Sequence, residues 1–246
     1  MIIIDMKNKT VIVTGAASGI GQASASILYE NGYHIIAIDK NMIGPPFESY
    51  ICDISSEDAV KELFDIIKKN HNNLTGLVNC AGIYCLENRE GIENIDINGF
   101  EKMIKTNLSN YLIMMKNSVS MMKEGVDNKF IINISSDQAF YPRIKDVSYA
   151  ISKSGINAAT IIAAKEFAKY NIRVNGLAPA SVKTGFLNSL SISADEIDLI
   201  YGKEKELYPF GMIQPRDIAE YVLFLASDKA IHISGQILLI DSGKYL

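Results

Sequence analysis

The chain has no tryptophan and only three cysteines, three histidines and six prolines in 246 residues. Each scarcity removes a class of protein. Cys52, Cys80 and Cys85 are odd in number and lack the paired spacing of a zinc site, so they read as buried thiols in a reducing compartment. His34, His71 and His232 lie far apart in sequence, which argues against a histidine-based metal centre or triad; no metal is expected. Nowhere do eighteen apolar residues follow one another, so no membrane span is expected. Met1-Ile2-Ile3-Ile4 is too short, and lacks a preceding basic region, to be a signal peptide, and a cytoplasmic location is the expectation. Charge of one sign is scarce too: 24 basic against 28 acidic residues give a net charge of −4, with no block of like charges. Nucleic acid is therefore not the expected partner.

What is present is an apolar share of 48%, enough for a large core. With no Pro-, Gly- or Ser-rich linker and no internal repeat, residues 1–246 read as one domain. Short β-branched runs (10–14, 34–39, 50–53, 76–79, 130–134, 172–175 and 237–240) alternate with stretches of helical periodicity. One of these, Phe100 to Lys123, reads as a single long helix, and the 40–50 connection, broken by Gly44-Pro45-Pro46, leaves little room for any helix. The alternation predicts an α/β fold, a doubly wound, Rossmann-like parallel sheet of about seven strands with helices on both faces. Ligands of such sheets bind beyond the carboxyl ends of the strands.

Directly after the first strand comes Thr14-Gly15-Ala16-Ala17-Ser18-Gly19-Ile20-Gly21, whose glycines permit a tight turn before a helix that aims its amides at an anion such as a pyrophosphate. The spacing is not that of a nucleoside-triphosphate loop. Asp39 ends the second strand eighteen residues past Gly21, where a carboxylate accepts bonds from a ribose diol and repels a 2′-phosphate. Two unit charges about 4 Å apart interact by about 4 kcal/mol at an effective dielectric near 20, so NAD is expected over NADP, with neighbouring Lys40 a softening influence.

Tyr149-Ala150-Ile151-Ser152-Lys153 puts a phenol and an ammonium on one helix face. A nearby lysine and a positive oxidised nicotinamide are sources for the roughly 4 kcal/mol needed to bring the phenol from about 10 to about 7, where it exchanges a proton with an alcohol. Ser136 lies thirteen residues upstream at the end of a strand, and Ser135 is its nearest competitor.

These residues, with Asp53, Asn79-Cys80-Ala81-Gly82, Asn107, Ile134-Ser135-Ser136 and Pro179 to Thr184, occur in the order and spacing of one family. Over nearly its whole length the sequence resembles the short-chain dehydrogenases/reductases. The resemblance implies Tyr149 as general acid/base, Ser136 orienting the substrate oxygen, Lys153 on the nicotinamide ribose, and Asn107 holding a water of a proton relay. On sequence alone Asn107 reads as a polar kink in a long helix, and only the family register overturns that reading. The resemblance also implies cofactor contacts from Gly15, Ser18, Gly19, Ile20, Gly21, Asp39, Asp53, Ile54, Asn79, Ala81, Gly82, Pro179, Val182 and Thr184, with NAD as cofactor. Three positions depart from the pattern: Cys80 replaces an asparagine that supports the sheet, Ala180 a glycine after Pro179, and Ser242 a glycine in Asp241-Ser242-Gly243.

The expected function is NAD(H)-dependent interconversion of a secondary alcohol and a ketone on a small molecule. A non-catalytic dinucleotide sensor, which has no need of Tyr149, is the alternative. Residues 137–148 and a lid at 185–213 are expected to shape the substrate pocket, with Gln138 and Arg143 as candidate substrate contacts. Ser136-Asp137-Gln138-Ala139 with Pro142-Arg143 resembles dehydrogenases of dihydroxylated cyclohexadiene carboxylates; ketoacyl thioesters, sugars and polyols stay open. A homo-oligomer, tetramer or dimer, is expected, and Ile156 to Ala168 offers either an interface or a face packed on its own sheet.

Overall fold

The structure, a computed structural model, describes residues 9–84, 91–123, 128–184 and 206–246. Its strands are β1 (Thr10–Thr14), β2 (His34–Asp39), β3 (Glu48–Ile51), β4 (Leu74–Asn79), β5 (Lys129–Ile134), β6 (Ile172–Pro179) and β7 (Ile237–Ile240). They form one sheet in the order β3-β2-β1-β4-β5-β6-β7, with every neighbouring pair parallel. Parallel neighbours require crossovers. These are α1 (Gly19–Glu30), α2 (Glu57–Asn70), α3 (Ile97–Ile104) with α4 (Asn110–Met122), α5 (Val147–Phe167) and α6 (Pro215–Ala226). Residues 40–47, between β2 and β3, carry no helix.

Alternate residues of a strand face opposite sides of a sheet, and here both sides are covered, so the strands read as unbroken apolar runs. Val11, Val13, Ile35 and Ala37 pack with Ile27 and Leu28 of α1 and with Ile218 and Val222 of α6. Their neighbours Ile12, Ile36 and Ile38 pack with Val60, Phe64 and Ile67 of α2 and with Met114 and Val119 of α4. Each such side chain contributes about 1.5–3 kcal/mol by leaving water. No described helix is long and apolar enough to cross a membrane.

Two expectations are corrected. The third strand covers Glu48–Ile51, not 50–53, because its ladder with β2 runs from Ile36↔Glu48 to Asp39↔Ile51. The stretch from Phe100 to Lys123 is not one helix: a π-helical turn, Lys105–Ser109, separates α3 from α4, and the fully buried Asn107 sits within it. Wide turns of this kind mark places where a helix yields to a local bond, and the site shows which bond that is.

The strand order reverses between β1 and β4, so the loops leaving these two strands diverge and open a cleft at their carboxyl ends. That cleft holds the candidate site.

Candidate active site

The loop after β1 forms one wall. Gly15 (φ +67°) and Gly19 (φ +56°) are left-handed, and a Cβ on Gly15 would lie 2.9 Å from the backbone of Ala81. A Cβ on Gly21 would collide with the carbonyl oxygen of Gly15. Close backbone approach is therefore built into this loop. Ser18 precedes α1 without a side-chain cap, and the first turn, where Ile20 sits, holds no acidic residue. By contrast α2 is capped by Ser56 and carries Glu57 and Asp58 in its first turn. Uncapped amides at a positive dipole end, cradled by glycine, fit the pyrophosphate of a dinucleotide.

Asp39 turns toward this loop: its Oδ2 accepts from the Ala17 amide (3.1 Å) and its Oδ1 from the Asn41 amide (2.9 Å). Cys52 donates its amide to the Asp39 carbonyl (2.8 Å), which brings Asp53 alongside. Asp53 is exposed, and bonds from the hydroxyl and amide of Ser55 hold it below the usual carboxylate range. Ile54 is buried in the core under α2.

The loop after β4 forms the floor. Cys80 and Ala81 donate their amides to Thr14 Oγ1 (3.1 and 3.3 Å). Asn79 is fully buried and donates to Asn133 Oδ1 (2.9 Å), whose amide donates to Thr160 (2.9 Å). This buried chain joins β4, β5 and α5, and it supplies the support whose loss Cys80 had suggested. A Cβ on Gly82 would stand 3.2 Å from Asn107 Oδ1 and 3.8 Å from Lys153 Nζ. Asn107 grips the next residue: Oδ1 accepts from the Ile83 amide (2.7 Å) and Nδ2 donates to the Ile83 carbonyl (2.8 Å). Asn107 thus stands at the kink the sequence offered for it, beside Gly82 and Lys153.

The strand β5 and helix α5 bring in the reacting groups. The Ser136 hydroxyl donates to Asp137 Oδ1 (3.0 Å) and accepts from the Gln138 amide (3.2 Å), and it favours the ionised form of the neighbouring Tyr149 phenol. Ser135 instead donates to the Lys153 carbonyl (3.2 Å). Lys153 is buried, donates from Nζ to the Ile134 carbonyl (3.0 Å), and lies 5.6 Å from the centre of the Tyr149 ring. Burial pulls the lysine down to about 8 and pushes the phenol up to about 12. The expected lowering of Tyr149 by Lys153 is therefore corrected for the chain by itself. Removal from water dominates, and Asp137 and Asp146 add to it.

Two neighbours of Tyr149, Tyr84 and Asp137, were not among the expected site residues. Tyr84 packs edge-on against it (centroids 4.9 Å apart) and donates to the buried carboxylate of Asp146 (3.0 and 3.1 Å). Asp137, also buried, accepts from Lys244 Nζ (2.9 Å) and Tyr245 OH (2.8 Å), with Arg143 3.7 Å away. Arg143 thus shares a carboxylate with the chain's last residues. Gln138 is buried, with its side-chain carbonyl lacking a protein partner.

The far wall follows β6. Pro179 ends that strand opposite Ile240, and Ala180, without a positive φ, donates to the Ile240 carbonyl (2.9 Å). Alanine fits this turn. Ser242 does take the left-handed conformation (φ 54°), tied by its hydroxyl to the Gly211 carbonyl (2.6 Å). Val182 bridges Ile213, and the Thr184 methyl faces Gly19. Most of the expected lid, 185–205, lies outside the described residues.

Residues 15–244 match the family model described as enoyl-(acyl carrier protein) reductase. The chain is 31% identical to a 3-oxoacyl-(acyl-carrier-protein) reductase of Thermotoga maritima, over 97% of this chain and 98% of that one. It is 28% identical to the 2,3-dihydro-2,3-dihydroxybenzoate dehydrogenase of Escherichia coli, over 99% of each. Among solved structures, a 4-hydroxyisoleucine dehydrogenase complexed with NADH superposes with a TM-score of 0.85 at 26% identity, covering 97% of this chain and 99% of that one.

Proposed function

The chain belongs to the short-chain dehydrogenase/reductase family, and on that premise we propose that it is an NAD(H)-dependent enzyme interconverting a secondary alcohol and a ketone on a small molecule. The observation that carries this reading is the convergence of Ser136, Tyr149 and Lys153, the serine acting on the Tyr149 phenol and Lys153 Nζ lying 5.6 Å from the centre of the same ring. Ser136 orients the substrate oxygen and Tyr149 gives it, or takes from it, a proton. Lys153 binds the nicotinamide ribose, and Asn107 holds the Ile83 loop against the ribose side of the cleft. The bound dinucleotide supplies the hydride and, when oxidised, a positive charge. A cation close to the phenol favours its ionised form, the direction opposite to burial.

Gly15, Ser18, Gly19, Ile20 and Gly21 hold the pyrophosphate. Asp39 accepts from the adenosine ribose diol and repels a 2′-phosphate. Asp53, the 79–82 backbone, Pro179, Val182 and Thr184 complete the cleft. Asn79, being fully buried, serves through its main chain, and Ile54 by packing beneath Asp53. The unpartnered Gln138 carbonyl and Arg143 face the substrate. Relatives named for 3-oxoacyl thioesters and for a dihydrodiol carboxylate support those two substrate classes.

Titration with NADH and NADPH, following nicotinamide fluorescence, tests the cofactor. Enhancement at much lower NADH than NADPH supports the role of Asp39, and no enhancement with either, in folded protein, removes the reading. Tyr149→Phe should lower turnover by about 1,000-fold with unchanged NADH affinity. Undiminished turnover would take the proton step away from Tyr149.

A further inference from the structure

The far end of the sheet from the cleft carries a second cluster of chemistry. His34 opens β2, Glu48 opens β3 and His71 ends α2, so three successive elements converge on one corner. The sequence separation that argued against a histidine-based metal centre vanishes on folding. Nε2 of His34 and Nε2 of His71 both meet Glu48 Oε2, at 2.8 and 2.9 Å. The two imidazoles stand 5.2 Å apart, tilted by 31°. The other carboxylate oxygen accepts from Tyr50 OH (2.6 Å), which fixes the carboxylate from behind.

We propose that His34, Glu48 and His71 form a binding site for a borderline-soft divalent transition-metal ion such as Zn²⁺. Two imidazole nitrogens and one carboxylate oxygen are a zinc donor set, whereas Mg²⁺ and Ca²⁺ require oxygen ligands. The three donor atoms lie within 4.8 Å of one another, the one such group among the described residues. Donors held at about 2.1 Å by a tetrahedral ion stand about 3.4 Å apart, so an opening of about half an ångström at the two contacts admits it. His71 is largely enclosed, with a side-chain exposure of 16%, while His34 is 41% exposed. The site is therefore anchored on the protein side and open to solvent, where water completes the coordination. Tyr50 supplies the outer bond that holds a ligating carboxylate in place. Because the ligands come from β2, β3 and α2, the ion would clip the edge strand to its neighbours without touching the catalytic cleft.

The test uses tag-free, chelator-treated full-length protein titrated with Zn²⁺, and with Co²⁺ as a spectroscopic probe. One equivalent should bind, with visible Co²⁺ absorption that Zn²⁺ bleaches. Zinc at about a hundredfold over its Kd should raise the thermal midpoint by about 5 °C. His71→Gln and Glu48→Gln should abolish uptake, and Tyr50→Phe should weaken it about tenfold. Turnover with NADH should not change in the His71 variant. The chain has only three histidines, so ring resonances of the wild type report the site without any variant: His34 and His71 should shift and His232 should not. No uptake with metal in excess, a shift at His232 instead, or undiminished uptake by folded His71→Gln would each overturn the proposal.

Discussion

Lys153 shows at one residue how a candidate catalytic group opposes the fold that holds it. The unfolded chain protonates this lysine near its ordinary 10.5, the folded one at about 8. Between those values the unfolded state holds the extra proton, so this group's contribution to stability rises with pH across that window. Below about 8 both states are protonated and the full penalty of a buried ammonium remains, on the order of 3 kcal/mol. Lys153→Met should therefore raise the urea midpoint at pH 7 while nearly abolishing turnover, and the gain should shrink as pH approaches 10. A midpoint that falls at pH 7 would show that the bond to the Ile134 carbonyl outweighs desolvation. Tyr149 carries the opposite sign: its raised value favours the folded state below its ordinary 10, and this is lost as pH climbs toward about 12.

At the scale of elements, the strands were legible because burial on both faces leaves unbroken apolar runs, and β1, β2 and β7 fall where those runs lie. The sequence offered the break between α3 and α4 only as a polar kink at Asn107, since apolar periodicity continues through it and the Ile83 backbone that Asn107 holds lies 24 residues away. Asn107→Ala should leave the half-buried amide and carbonyl of Ile83 without these bonds and lower stability by about 2 kcal/mol. Weaker NADH binding should accompany this in fluorescence titration. The site was legible where spacing within one element sets it, as for Tyr149 and Lys153. It was silent where residues distant in sequence meet, as for Asp137 and Lys244, 107 positions apart. Burial alone would lower Lys244, but the bond to Asp137 outweighs it and holds the ammonium above its ordinary value. Lys244→Met should cost about 2–3 kcal/mol by leaving a buried carboxylate with the more distant Arg143 as its remaining cation beside the Tyr245 and Ser136 hydroxyls, and adding Asp137→Asn should recover part of that loss. Additive losses in chemical denaturation would show the tether to be energetically idle.

At the scale of the whole molecule, one side of the sheet is left unfinished. Helix α5 buries Ile156, Thr160, Ala163 and Ala164 against its own sheet, yet Ile151 and Ile162 on its other side remain 47% and 56% exposed. Leu112 of α4, 48% exposed, borders the same apolar groove with Leu108 and Phe167. The reading of the Ile156 to Ala168 run as packed on its own sheet thus holds for the inward face, while Ile162 stands open on the other. A helix pair with an outward apolar stripe is self-complementary about a two-fold axis, and we propose that a second copy of the chain covers it by setting α4 and α5 against their own images. Ile162→Glu places a charge in the centre of the stripe without disturbing the inward face, so the monomer should keep its fold and NADH binding. Light scattering coupled to size exclusion should then show a smaller assembly than the wild type. An unchanged mass for the variant would move the interface elsewhere, and a monomeric wild type would leave the stripe without its partner.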